Sequence, residues 1–219
     1  MITWLIKHKL KDFLYDLKNM DVLDFGCGDA RYKELIITNN KYTGVDVEIS
    51  GFDKNKKIAD VFWDNKTLPF NDETFDVIIC TESLNQVDDI NNTIKELKRV
   101  LKKGGKIFVT MVFIFGEHDT PYDFTRYTSF GIKNIFKKNN LKILKYEKLL
   151  EGKKSIIQIL ESEFTRYLNE KCNKKFKLIY RLLFNIVLIL IKFLFLILPK
   201  DIFYNLHTNN LIILEKWRK

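Results

Sequence analysis

The chain has 219 residues, 46% hydrophobic and 30% charged, which is enough for one full core with an appendage and unlike a disordered segment. Its three cysteines, Cys27, Cys80 and Cys172, are odd in number and far apart; they form neither a disulfide framework nor a metal cluster and suit a reducing cytoplasm. The formal net charge of +9 is lopsided: residues 1–150 hold 24 Lys/Arg against 22 Asp/Glu, and residues 151–219 hold 13 against 6. That excess lies beside the most apolar stretch, which points to an anionic membrane surface more than to nucleic acid. A plain solvated lysine-rich face is the alternative.

From Trp4 to Leu17 apolar residues recur at helical spacing, and no small-residue cleavage site follows Met20, so an amphipathic entry helix and no secretory leader are expected. Residues 21–25 (DVLDF) read as a buried parallel strand stopped by Gly26. A helix from about Arg31 and a strand over Tyr42–Asp46 follow, and Lys57–Trp63 reads as a third strand. Phe75–Thr81 (FDVIICT) is a fourth strand with a β-branched core. Asn91–Leu101 reads as a helix ended by Lys103-Gly104-Gly105. Lys106–Phe113 is a fifth strand, Ser129–Lys138 a helix and Leu141–Tyr146 a sixth strand. Phe176–Leu198 is almost continuously apolar up to Pro199, and Asn210–Trp217 closes the chain as a last strand. Strands alternating with helices in this way indicate βαβ units on a parallel sheet, with ligands at the strand ends.

Residues 22–30 (VLDFGCGDA) run a strand through Asp24 into Gly26-Cys27-Gly28, a turn without side-chain bulk that aims backbone amides at a ligand. A dinucleotide fingerprint needs a further glycine where Arg31 stands, which counts against NAD. Asp46 ends the second strand, where a carboxylate can accept both hydroxyls of a ribose. With LPFNDETFDVIICTESLNQV and LKRVLKKGGKIFVT in order behind them, these motifs make residues 20–150 resemble the class I S-adenosylmethionine-dependent methyltransferases.

The resemblance implies a Rossmann-like, doubly wound α/β fold with a seven-stranded, mostly parallel sheet and an antiparallel last strand; the apolar run over 176–198 adds a hydrophobic helical insertion before that strand. It implies S-adenosylmethionine as cofactor, with Asp24, Gly26, Cys27 and Gly28 at the methionine portion. Asp46 would hold the ribose, Val47 would lie against the adenine, Asp64 and the Asn65 amide at its amine, and Thr81 under the methionine end. As alternatives, Gly26 and Gly28 serve only the turn, Asp46 is a solvated strand end, Asp60 replaces Asp64, and Cys27 and Cys80 are buried fillers. Two departures stand out: the usual third glycine is Ala30, and the frequent Glu-His pair after the fourth strand is Asn85-Gln86.

Residues 118–128 (HDTPYDFTRYT) resemble an H-x-x-P-x-D-x-x-R-x-T pattern in a subset of these enzymes, some linked to cell-surface polysaccharide synthesis. His118, with Asp123 and Arg126, is the candidate catalytic group, His118 as general base. The alternative makes Asp123 and Arg126 a lid-closing ion pair with His118 hydrogen-bonded to it.

As a helix, residues 176–198 would be roughly 35 Å long. Lys174, Lys177, Arg181, Asn185 and Lys192 fall within a sector of about 80° on its circumference. A narrow cationic stripe on a broad apolar helix suits an interfacial helix; burial against a second copy and a true span are the alternatives. The expected division is a cofactor-binding core at 1–150, a membrane- or dimer-facing insertion at 151–208 and the last core strand at 209–219. The expected function is methyl transfer to a small or lipid-linked acceptor, a glycan or quinone precursor, on the cytoplasmic face of a membrane. An RNA methyltransferase and a non-catalytic scaffold of the same fold are the other readings.

Overall fold

The structure, a computed structural model, describes residues 1–217. Among the described residues, thirteen α-helices and β-strands follow in order: α1 (Ile2–Leu14), β1 (Asp21–Phe25), α2 (Lys33–Ile37), β2 (Lys41–Val47), β3 (Val61–Trp63), β4 (Phe75–Thr81), α3 (Ile90–Val100), β5 (Leu101–Val112), α4 (Ser129–Lys138), β6 (Leu141–Glu151), α5 (Lys153–Glu170), α6 (Lys177–Ile197) and β7 (His207–Lys216). The seven strands form one sheet in the order β3-β2-β1-β4-β5-β7-β6, and β7 runs antiparallel between β5 and β6. The order reverses at β1 and β4, so the loops leaving those strands open a crevice at their C-terminal ends.

Each face of the sheet has its own core. α1 buries Ile6, Leu10 and Leu14, four residues apart, on the face that also holds Val22, Val77, Ile79 and Phe108. α3 covers the other face with Ile90, Ile94, Leu97 and Val100 against Leu23, Ile78 and Val109. Its first turn is capped by Asp89, which accepts from the amides of Asn91 and Asn92.

Two expected boundaries fail for tertiary reasons. The third strand is only Val61–Trp63, because Lys57 leaves the strand pattern to bury its side chain. Lys103-Gly104-Gly105 does not end a helix: Leu101 is already extended, and the glycines sit where the pairing of β4 with β5 slips from Leu101 to Lys106. A Cβ on Gly105 would lie 2.7 Å from Leu101 Cδ1 and 2.9 Å from the Asp76 carbonyl.

α5 and α6 stand between β6 and β7. Only Leu188 of α6 is buried, and the helix touches the body along a seam where Phe184 stacks on Phe164 of α5 at 3.8 Å. Lys192 pairs with Glu161 at 3.7 Å beside that seam. The cationic stripe therefore flanks the packed side, and the outward surface is unbroken Leu, Ile, Val and Phe. Lys174 precedes the helix and does not extend its stripe.

Candidate active site

β1 delivers the chain into Gly26 at φ +70° and Gly28 at φ +52°, both in the left-handed region that favours glycine. A Cβ on Gly26 would lie 2.4 Å from Ser83 Cβ, so the approach of the β4 loop also demands glycine there. The neighbouring strand holds this turn. Val45 O accepts from the amides of Gly26 (2.8 Å) and Cys27 (3.2 Å), and Asp46 Oδ2 accepts from Gly28 N at 2.8 Å. Glycine turn and carboxylate are thus directly joined. Asp46 Oδ1 accepts from Val47 N (2.7 Å) and from Lys57 Nζ (3.1 Å), whose side chain is 1% exposed. With two donors on Oδ1 and one on Oδ2, the free lone pair is on Oδ2.

Gly26, Cys27, Gly28, Asp46, Val47, Asn65 and Thr81 line one cavity of about 700 Å³. Two residues expected with them do not. Asp24 is 1% exposed beneath the turn, where Tyr42 donates to Oδ2 at 3.1 Å and Oδ1 has no partner; burial pushes its carboxyl up to about 7. Asp64 is exposed and turns back to accept from the amides of Lys66 (2.8 Å) and Thr67 (2.9 Å), leaving Asn65 on the cavity. Its rival Asp60 accepts from Gly44 N at 2.7 Å and is likewise off the cavity wall. Burial pushes the thiols of Cys27 and Cys80 up to about 12, so both are neutral.

Ala30 adopts φ +52°, so the missing glycine carries a conformational cost. Ala30→Gly is expected to stabilise the protein by about 1 kcal/mol in denaturant unfolding. No gain would mean that the turn is unstrained.

The loops after β2 and β5 meet over the cavity. A Cβ on Gly51 would fall 1.7 Å from the Asp119 carbonyl, so backbone touches backbone there. Gln86 donates to Asp119 Oδ2 at 2.7 Å and lines the cavity. Asn85 is 1% exposed and fastens the same segment: its amide donates to Thr125 O (2.6 Å) and Val112 O (3.2 Å), and its Oδ1 accepts from Val112 N (3.1 Å). The Asn85-Gln86 departure thus latches the 118–128 segment onto β4 and β5.

His118 lines the cavity; Asp123 and Arg126 do not. They form an ion pair behind it, with the Asp123 side chain 3% exposed, its Oδ2 accepting from His118 N at 3.1 Å and standing 3.5 Å from Nδ1. Burial raises the Asp123 carboxyl, but hydrogen bonds from Arg126 and the His118 amide outweigh it and hold the group below its ordinary value. Asp123 and Arg126 thus lie behind His118 and in contact with it, off the cavity wall.

Sequence reasoning missed four residues. Lys57 holds Asp46, and Glu82, Gln158 and Asn209 line the cavity. Glu82 adjoins Thr81 at a strand end and had that much signal; Gln158 and Asn209 had none. Glu82 Oε2 accepts from Asn209 Nδ2 at 2.6 Å, and Oε1 is sealed from solvent beside the Thr110 hydroxyl. Burial pushes this carboxyl from 4.5 up to about 7, against the pull of Thr110, His118, Asn209 and Arg126. Between those values the unfolded chain has lost the proton that the folded one keeps, so stability falls as pH rises from about 4.5 to 7. Glu82→Gln is expected to flatten this fall when unfolding is compared at pH 5 and 7.5, leaving the share due to Asp24. An unchanged slope would refute the assignment.

Residues 23–109 match a family model described as a methyltransferase domain. The chain is 33% identical over 113 residues to the sterol 4-C-methyltransferase strm-1 of Caenorhabditis elegans, covering 47% of this chain and 34% of that protein. It is 28% identical over 164 residues to the tRNA U34 carboxymethyltransferase of Nautilia profundicola, covering 68% and 52%. The matches thus span from about a third to just over half of the length of these curated relatives. Among solved structures, the [4+2]-cyclase SpnF superposes with TM-score 0.62 at 16% identity over 96% of this chain and 82% of that one. Phosphoethanolamine N-methyltransferase 2 of Haemonchus contortus, in complex with S-adenosyl-L-methionine, superposes with TM-score 0.61 at 18% identity over 98% and 53%. These structural likenesses concern the fold; one of the two proteins is named for a cyclisation.

Proposed function

We propose that the protein is an S-adenosylmethionine-dependent methyltransferase acting on a small or lipid-linked acceptor at a membrane surface, a reading supported by the match of residues 23–109 to a methyltransferase-domain model and by the likeness of the fold to a methyltransferase structure. The observation that carries this reading is the Gly28 N to Asp46 Oδ2 hydrogen bond of 2.8 Å, which puts the glycine turn and a carboxylate on one cavity. Such a pair suits the two ends of an adenosyl ligand. Asp46 accepts from the ribose hydroxyls, Val47 and Asn65 flank the adenine, and the Gly26–Gly28 amides and Thr81 border the methionine end. When bound, the cofactor supplies a methyl group already activated on a sulfonium. The chain then has to align the acceptor and exclude water, which the contact between Gly51 and Asp119 serves. His118 takes the proton of an acceptor hydroxyl, held in place by Asp123 and Arg126.

α6 docks the protein on the cytoplasmic face of an anionic bilayer. Its 21 residues are long and apolar enough to cross a membrane. Both ends, however, return to one sheet through β6 and β7, which suits a helix lying in the interface. A glycan or quinone precursor on a lipid carrier fits this placement.

The likeness to a tRNA-modifying enzyme favours RNA as a second reading. The cavity lining, with Asp29, Asp46, Glu82, Asp88 and Asp119 against Arg31, opposes a polyanion. Calorimetry of the full chain with S-adenosylmethionine tests the main reading: binding in the micromolar range is expected, and none at millimolar cofactor would leave only a scaffold. Salt-sensitive retention of RNA would favour the second.

A further inference from the structure

Among the described residues lining the cavity, Arg31 is the one lysine or arginine, and it stands three positions after Gly28. Asp29 grips its guanidinium from the side: Nε donates to Oδ1 at 2.9 Å and Nη2 to Oδ2 at 3.3 Å. The chain bends between the two at Ala30, φ +52°. A guanidinium carries five N–H groups in a planar fork, and a carboxylate offers about four lone-pair sites. The side edge of Arg31 is therefore filled. Its end edge, the two Nη1 hydrogens and the second on Nη2, has no partner among the described residues. Asp29 likewise accepts only from Arg31 among them and keeps a lone pair on each oxygen. Both side chains face the cavity and are open to a ligand, at 47% and 40% exposed. Asp119, on the same lining, forms no ion pair with Arg31 and accepts from Gln86 at 2.7 Å.

An ion pair with a vacant donor edge beside vacant lone pairs has a chemical complement. A lone anion would gain Arg31 but meet Asp29, and a lone cation the reverse. A zwitterion satisfies both partners at once, with charge-assisted hydrogen bonds of each sign. An α-amino acid carries its ammonium and carboxylate on the same carbon, which suits a pair two residues apart. We propose that Asp29 and Arg31 form the subsite for the α-amino-acid end of the adenosyl ligand, its carboxylate on the end edge of Arg31 and its ammonium on Asp29. The inference rests on the S-adenosylmethionine reading and adds what selects the intact cofactor over its truncated forms. Asp46, Val47 and Asn65 serve the nucleoside, and this pair serves the tail. It also admits one carboxylate to a cavity otherwise lined by Asp46, Glu82, Asp88 and Asp119.

Three compounds separate the parts: S-adenosylhomocysteine, its decarboxylated form, which keeps the ammonium alone, and methylthioadenosine, which lacks both charges. In calorimetry of the full chain, both truncated compounds are expected to bind at least about tenfold more weakly than S-adenosylhomocysteine. Arg31→Met keeps the aliphatic stem and should weaken S-adenosylhomocysteine at least about fivefold without weakening the decarboxylated form. Arg31→Lys keeps the charge but not the fork, so it should recover only part of that loss. Asp29→Ala should weaken both ammonium-bearing compounds at least about threefold. Methylthioadenosine should change less than about twofold in every variant, which checks that the fold and the nucleoside site are intact. Wild-type affinity for methylthioadenosine equal to that for S-adenosylhomocysteine would overturn the pair and leave the adenosyl site in place. So would an Arg31→Met variant that binds S-adenosylhomocysteine unchanged or weakens all three compounds alike. Failure of every compound to bind the wild type would instead remove the S-adenosylmethionine reading, and the pair with it.

Discussion

Asp46→Ala is expected to abolish S-adenosylmethionine binding, by at least about a hundredfold, and to lower stability by about 3–5 kcal/mol. Both effects arise from one carboxylate. Its removal leaves the Lys57 ammonium, 1% exposed, with only the Val47 carbonyl, and removes the acceptor of Gly28 N and Val47 N. Breaking a buried pair from one side costs far more than the pair contributes. Two further variants separate recognition from stability. Asp46→Ala with Lys57→Met removes the stranded charge and should recover most of the stability without restoring binding. Asp46→Asn keeps an oxygen for Gly28 N and should be less unstable than alanine. Calorimetry and urea unfolding on the same preparations decide the matter. Cofactor affinity within a few-fold of wild type in Asp46→Ala would remove the ribose role and, with it, the main support for the proposed function.

The second large effect is expected at α6. Leu183 and Leu190 lie on its outward side, 54% and 62% exposed, where nothing in the fold covers them. Burial of a leucine contributes roughly 1.5–3 kcal/mol, so replacing both with glutamate should lower partition onto vesicles containing phosphatidylglycerol about a hundredfold or more. The fold should be unaffected, since neither side chain touches the core; an unchanged unfolding midpoint checks this. Raising salt should weaken binding only in part, because Lys177, Arg181 and Lys192 act at the headgroups while the apolar face acts below them. Equal sedimentation of variant and wild type with vesicles would end the membrane reading. A concentration-dependent dimer lost in the double variant would transfer the same face to a second copy.

Much of the site was legible because its parts sit next to the strands that position them. DVLDF followed by Gly-Cys-Gly marks a buried strand entering a tight turn, and Asp46 lies at the end of the next apolar run. Periodicity places such residues at one edge of a parallel sheet. The same method misplaced Asp24 and Asp64. Both lie in the right segment, but which way a carboxylate turns depends on local donors: Tyr42 for Asp24, the Lys66 and Thr67 amides for Asp64. The amphipathic pattern of α6 showed a cationic stripe, and only packing against α5 could show that the stripe flanks the inner side.

By itself the sequence determined the βαβ order, the glycine turn, the Asp46 carboxylate at the end of the next strand and the greasy helix before the last strand, all of which are written in residues close along the chain. Tertiary structure alone decided that Lys57 holds Asp46, that Asn85 latches the 118–128 segment, and that Glu82 meets Asn209 across 127 residues. The physical reason is that hydrophobic period and turn chemistry are local. A hydrogen bond between the loop after β4 and an antiparallel β7 exists only after the sheet has closed around it.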